Sequence, residues 1–194
     1  MAHRPEPLIH GERVWLRPPE RADIPIFVRW FNDAGTTRYL MARAPMSLAG
    51  EERWFEGMLE EQGKGSYHFV ICLLKEDLPI GTIGLHDIDH VNGNAAAGIM
   101  VGRPELWGQG LGTDAMNALL DFGFGELRLE RIWLEVYDFN KRGRRSYEKC
   151  GFVHEGTLRR ALYRSGQYHD VHVMAILRDE WAALREPTGS KTID

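Results

Sequence analysis

The stretch Val101-Gly-Arg-Pro-Glu-Leu-Trp-Gly-Gln-Gly-Leu-Gly-Thr-Asp-Ala115 decides how the chain is read. It has the pattern of a strand end, a glycine-rich turn and a helix start. Gly108, Gly110 and Gly112 alternate, and Ala115, Met116, Ala118, Leu119, Leu120 and Phe122 then recur at helical spacing. A helix start leaves about four backbone N–H groups without intrahelical partners. With the positive end of the helix dipole they form an anion site, and glycines let a phosphate approach with no Cβ in the way. Residues 108–114 therefore read as a diphosphate cradle. The alternative is a tight strand-to-helix turn with no ligand.

Two other phosphate loops are excluded. A P-loop closes on Gly-Lys-Ser/Thr, and no lysine lies between Lys75 and Lys141. The dinucleotide fingerprint needs a third glycine where Thr113 stands. It also needs an acidic residue ending the next strand, whereas Glu130 precedes that strand.

Working back from the turn, three runs read as strands joined by short links: 67–74, 79–88 and 95–101. Lys75-Glu-Asp77 and Asn92-Gly-Asn94 supply the turns. Further back, 12–17 alternates as a first strand after a loose arm at 1–10. A helix opens at Asp23 and ends at Gly35. A second, capped by Ser47, is broken by Gly63-Lys-Gly65. Beyond the turn, a helix over 109–124 leads to a strand at 131–137 and a helix at 141–150. A hairpin at 152–160 and 169–176 closes the sheet, and a short helix at 179–185 precedes a flexible tail at 186–194. The strand–helix–strand unit predicts a parallel pair with a right-handed crossover. The expectation is one α+β domain over 1–194, its core at about 8–182. It has a mixed, mostly antiparallel sheet of about seven strands and about four helices.

Composition sets bounds. With 194 residues, 43% of them hydrophobic, the chain can bury a core. A net charge of -4 gives no basic footprint for nucleic acid and is compatible with a cationic substrate. No apolar run is long enough to span a membrane. Cys72 and Cys150 stand far apart, which suits a reduced, cytoplasmic setting. No zinc spacing or Gly-x-Ser-x-Gly elbow occurs. His169 and His172, three apart on a strand, face opposite sides, so no metal is expected.

The turn resembles the acyl-CoA-binding loop of the GNAT superfamily of N-acetyltransferases, Arg/Gln-x-x-Gly-x-Gly/Ala. Gly110 and Gly112 fill its glycine places, and Trp107 stands where Arg or Gln is usual. A second block, Asn140-Lys-Arg-Gly-Arg-Arg-Ser-Tyr147-Glu-Lys-Cys-Gly151-Phe152, resembles that superfamily's Asn-x-x-Ala-x-x-x-Tyr-x-x-x-Gly-Phe, with Gly143 for Ala. Trp30-Phe31-Asn32-Asp33, Gly156-Thr-Leu-Arg159 and Gly166-Gln-Tyr-His-Asp170 look like the branch typified by the RimJ/RimL ribosomal-protein acetyltransferases. The resemblance implies that strands 95–101 and 131–137 splay apart to admit a pantetheine arm. It also implies acetyl-CoA as cosubstrate, direct attack by a primary amine in a ternary complex, and a homodimer. The acceptor is open between a protein N-terminus, a polyamine and another small amine. A longer donor such as succinyl-CoA, or an acyl-CoA-binding protein without catalysis, are the alternatives.

The resemblance assigns cofactor contacts to Met100, Val101, Gln109, Gly110, Leu111, Gly112, Thr113, Asn140 and Tyr147. Tyr147 is the acid for the leaving thiolate, and a backbone N–H near Met100 or Val101 is the oxyanion donor. Asn140 also reads as a helix N-cap. Arg142, Arg144 and Arg145 read as a solvated helix face, one of them able to touch a phosphate. An alkyl ammonium near pKa ~10 needs a base at neutral pH. The branch places Glu before the glycine turn, but Ala96 stands there. Glu135 is taken as the catalytic partner of Tyr147, with His86, Asp87 and His90 as further candidates. Trp30, Phe31, Tyr39, Trp54 and Trp107 are candidates for the acceptor side.

Overall fold

The computed structural model describes residues 7–186. Most of the expected arm and tail, at 1–6 and 187–194, lies outside the described residues. In chain order the elements are β1 (Ile9–His10), β2 (Val14–Arg17), α1 (Ile24–Phe31), α2 (Ala34–Thr37), α3 (Leu48–Glu61), β3 (Tyr67–Leu73), β4 (Pro79–Asp89) and β5 (Asn94–Val101). Then come α4 (Leu111–Asp121), β6 (Arg131–Tyr137), α5 (Lys141–Lys149), β7 (Val153–Arg164), β8 (Gln167–Leu177) and α6 (Arg178–Arg185).

The strands form one eight-stranded sheet in the order β1-β2-β3-β4-β5-β6-β8-β7. Every neighbouring pair is antiparallel except β5–β6, which is parallel. The class is α+β, as expected, with one strand and two helices more than the expected counts. The extra strand is β1, inside the segment read as an arm. Gly35 does not end a helix but lies within α2, whose first turn Asp33 caps by accepting from Thr36 N–H at 2.7 Å. The helix expected over 109–124 starts at Leu111 and passes after Asp121 into a π-helical turn, Phe122–Glu126.

Strand alternation gives the sheet two apolar faces. One carries Phe69, Ile71, Ile83, Leu85, Ala97, Ile132 and Leu134, packed under Ala115, Met116 and Leu119 of α4. The other carries Val70, Cys72 and Met100, covered by Phe27 and Trp30 of α1. Helices on both faces thus bury the sheet and leave its one weak seam, β5–β6, as the place where a ligand can enter. That seam is paired only at Asn94–Arg131, Ala95–Ile132 and Ala96–Trp133. Beyond Ala96 the strands diverge, and β6 goes on pairing with β8 alone. The result is a fork with its apex at Ala96 and its mouth at the glycine turn.

Asp114 is not part of a ligand cradle. Its carboxylate accepts from the backbone N–H groups of Glu12, Arg13 and Val14 at 2.9, 2.8 and 3.0 Å. This clamps α4 to the start of β2. A Cβ on Gly11 would lie 2.3 Å from Asp114 Oδ1, so that approach needs a glycine. Charge-assisted bonds of this kind are worth more than neutral ones. Asp114→Ala is expected to cost about 2 kcal/mol and to lower Tm by roughly 4–8 °C, read by thermal unfolding.

Candidate active site

The fork opens into a cavity of about 680 Å³. Its walls are β5, β6, the glycine turn, the start of α4, one face of α5 and residues 36–41. At the mouth, Gly108 and Gly110 have φ of 75° and 82°. That left-handed backbone costs an L-residue roughly 1–2 kcal/mol, so these glycines are required by the turn. Gly112 is ordinary helix. A Cβ there would meet Val101 Cγ2 at 3.6 Å and Ile99 Cδ1 at 3.8 Å, on the cavity wall. The N–H groups at the start of α4 have no intrahelical partners and face this space.

Of the residues assigned to cofactor contact, Met100, Val101, Gly110, Leu111, Gly112, Thr113, Asn140 and Tyr147 line the cavity. Gln109 does not. Its side-chain amide donates to Glu105 O at 3.0 Å, and its carbonyl accepts from the Arg13 guanidinium at 2.6 Å, so it braces the turn. Met100 and Val101 differ in the direction of their backbone groups. Gly102 N–H donates to Ile80 O at 2.8 Å, and two-residue alternation then points Met100 N–H at β4 and Val101 N–H into the fork. The Val101 carbonyl accepts from the Trp107 indole at 2.8 Å.

Asn140 caps α5, its Oδ1 accepting from Gly143 N–H at 3.0 Å. The amide oxygen is thereby engaged, and a ligand would meet the amide nitrogen. A Cβ on Gly143 would stand 2.5 Å from Asn140 Nδ2, so glycine is the residue that lets this cap fold in. Thr113 and Ser146 hydroxyls meet at 2.8 Å and join α4 to α5 beneath the cavity.

Tyr147 lies two turns into α5, which runs back from the mouth toward the apex. Its ring packs beside Phe152, centroids 5.9 Å apart. Burial, with the nearby Cys150 thiol, pushes its phenol up to about 12. It therefore keeps its proton at any working pH. Burial likewise pushes the Cys150 thiol up to about 12, and its Sγ–H contacts Thr113 O at 3.6 Å. A protonated, buried thiol is no nucleophile.

Charge is partitioned along the cavity. Arg142, Arg145 and Lys149 line it from α5, spaced three and four apart on one helical face. Arg144, on the neighbouring face, pairs with Glu148 at 3.0 Å. Arg142 and Arg145 are exposed and Arg144 is half-exposed, as expected of a solvated helix face, and Arg142 and Arg145 also line the cavity. The Arg142 guanidinium sits 3.9 Å from the Trp107 ring centre and 5.4 Å from that of Tyr39. The carboxylates of the cavity are Asp87 and Glu135. Glu135 shares a face of β6 with Trp133 and Tyr137, while Ile132, Leu134 and Val136 point into the core. His86 lines the cavity beside Asp87. His90 does not; its Nε2 lies 2.7 Å from Lys64 O.

Tyr39 and Trp107 are the two of the five candidate aromatics that line the cavity. Trp30 is core, Phe31 packs at its edge, and Trp54 stacks edge-on to His68. The segment bearing Tyr39 is held by Arg164, whose guanidinium donates to Leu40 O and Ala42 O, and by Asn32, bonded twice to Met46 at 2.8 Å. Sequence reading allowed one of the α5 arginines a phosphate contact without choosing Arg142, and it missed the role of Arg164. For Arg142 the signal was present in the spacing of Arg142, Arg145 and Lys149.

A splayed parallel pair, a glycine turn feeding a helix and a tyrosine on α5 are joined by a direct match: residues 13–153 fit the acetyltransferase (GNAT) domain. The chain belongs to the GNAT acetyltransferase family. It is 30% identical over 177 residues to the uncharacterized N-acetyltransferase p20 of Bacillus licheniformis, covering 90% of this chain and 98% of that protein. It is 28% identical to the spermidine N(1)-acetyltransferase of Escherichia coli K12, covering 91% and 92%. The crystal structure of spermidine N-acetyltransferase from Vibrio cholerae in complex with CoA and spermine superposes with a TM-score of 0.81 at 28% identity, covering 87% of this chain and 98% of that one. This GNAT enzyme thus has the N-acetyltransferase class read from its two motif blocks. Among the described residues no helix is long and apolar enough to cross a membrane, and no cluster of metal-ligating side chains occurs.

Proposed function

We propose that this enzyme transfers the acetyl group of acetyl-CoA to a primary amine of a small, cationic acceptor of the polyamine class. The charge partition of the cavity carries the reading. Arg142, Arg145 and Lys149 beside the start of α4 suit a polyphosphate, while Asp87 and Glu135 across the fork suit an ammonium. The relatives named for spermidine acetylation support the same acceptor class.

The cavity fits acetyl-CoA. The glycine turn and the N–H groups of Leu111, Gly112 and Thr113 would hold the diphosphate. The unpaired edge of β5, with Val101 N–H, would bond the pantetheine amides, and Asn140 would meet the arm through its amide nitrogen. Tyr147 would stand at the sulfur and give it the phenolic proton as the thiolate leaves. Glu135 would hold the acceptor's ammonium. Tyr147 and Glu135 lie on opposite faces of the sheet, so amine and leaving thiol meet only through the fork.

The branch phrases at 30–33 and 156–170 support a second acceptor class, a protein α-amine. The test is thiol release with acetyl-CoA and with succinyl-CoA against spermidine, spermine, a basic amino acid and a peptide N-terminus, with acetylated products identified by mass. Turnover of the polyamines with acetyl-CoA, above the peptide, is expected. Turnover of the peptide alone would transfer the assignment to a protein acceptor. Binding without turnover of any amine would leave an acyl-CoA-binding protein. Arg142→Ala is expected to weaken acetyl-CoA about tenfold by loss of a phosphate contact and of the Trp107 stack, read by calorimetry.

A further inference from the structure

No carboxylate stands on β5 near the apex, where Ala96 is buried. An acceptor ammonium still has to lose a proton before its nitrogen can attack. The residue cross-strand from Ala96 is His86 of β4. We propose that His86, oriented by Asp87, is the base that takes this proton. The proposal rests on the transferase reading above.

His86 Nδ1 and Asp87 Oδ2 are 2.8 Å apart. Adjacent strand residues normally point to opposite faces and do not meet. Here they do because β4 is irregular between His86 and Asp89, and Asp87 takes φ 51°. Left-handed backbone at a non-glycine residue costs energy and concentrates at functional sites. The irregularity brings the Asp87 carboxylate alongside its own neighbour's ring. With Nδ1 held, the other ring nitrogen faces the fork. Nε2 is the nearest atom to the position of the absent Gly98 Cβ, at 3.8 Å. Gly98 and Ala96 present almost no side chain on this face, so an amine can reach both Nε2 and the apex. Both His86 and Asp87 line the cavity.

An imidazole fixed through Nδ1 by a carboxylate has its free nitrogen set as acceptor, the arrangement that general bases use. The surrounding groups permit this. His68 on β3 stands nearby; burial, then the charge of His86, holds its imidazole below the usual histidine range, so it adds no charge. Glu135 faces the cavity from β6. Asp89 and His90 follow on the same loop, bonded to Asn92 and to Lys64 O, and the Lys64 ammonium bonds Glu60 O.

The step balances. The ammonium gives one proton to His86 Nε2, and its nitrogen forms the amide bond as the C–S bond breaks. The sulfur takes the Tyr147 proton. The second nitrogen proton restores Tyr147 through solvent, and His86 releases its proton to bulk. One proton is liberated per turnover.

The test compares wild type, His86→Gln, Asp87→Asn and Glu135→Gln by kcat/KM from about pH 7 to about pH 10, with the fastest amine of the panel above. An alkyl amine supplies its own free base near pH ~10, while Tyr147 stays protonated there. His86→Gln is expected to fall about 10²-fold near neutrality and to converge on wild type as the pH rises. Asp87→Asn should follow the same course with a smaller deficit. Glu135→Gln should raise KM at every pH. Acetyl-CoA affinity, measured by calorimetry, should be unchanged in His86→Gln. Unaltered activity in His86→Gln, a deficit that does not vary with pH, or convergence in Glu135→Gln instead would overturn the role of His86 alone. A wild type that turns over no amine would overturn the transferase reading and this role with it.

Discussion

Tyr147→Phe lowers kcat by about 10³-fold and leaves acetyl-CoA affinity within about twofold. The expectation follows from the packing. The ring is held against Phe152 and the main core, so phenylalanine fills the same space and the fold is kept. Only the hydroxyl is lost. A phenol raised to about 12 is not lost to solvent beforehand, so its proton is still in place when the sulfur departs beside it. The neighbouring Cys150 thiol does not replace it. Cys150 is buried behind α5, with its own proton retained. Single-turnover mixing and calorimetry separate the two effects. An unchanged kcat would remove Tyr147 from the chemistry, and a lost affinity would make it a binding residue.

Gly112→Leu weakens acetyl-CoA by about 10²-fold, or roughly 3 kcal/mol, without lowering Tm. Gly112 has helical backbone, and leucine is the better helix former. A Cβ at this position meets only ordinary contacts. The added side chain then projects into the space where the first turn of α4 offers its N–H groups. Gly110→Ala is the control. It places a Cβ on left-handed backbone at φ 82°, so its stability falls together with affinity. Two glycines two residues apart thus have opposite stability signatures, one needed for the turn and one for the ligand.

Much of the fold can be read in the chain because its punctuation is local. Ser47 and Asn140 cap their helices as side chains that accept from an N–H three residues on, at Gly50 and Gly143. The three strands before the glycine turn are set by alternation and short turns, and the crossover to β6 by handedness. What escaped has physical causes. β1 is two residues long and exists only because β2 offers an edge. Gly35 looks like a helix stop, but Asp33 supplies a cap and Thr36 is buried, which outweighs the low helix propensity of glycine.

The site divides in the same way. Backbone roles at Gly110, Gly112 and Thr113 follow from a helix start, and those residues do line the cavity. Side-chain roles depend on direction. Gln109 sits between two cradle glycines, yet the turn aims it at Glu105. Arg142, in a run of arginines, is selected only by the face it shares with Arg145 and Lys149. The His86–Asp87 pair runs against the alternation rule and becomes visible only with the irregularity in β4.

The most direct test is a calorimetric titration of the protein with acetyl-CoA, with free CoA alongside. One molecule bound per chain at micromolar affinity, with Gly112→Leu much weaker, is the predicted result. No heat of binding from either compound would mean that the glycine turn is only a turn, and the account of the fork as an acetyl-CoA site would be wrong.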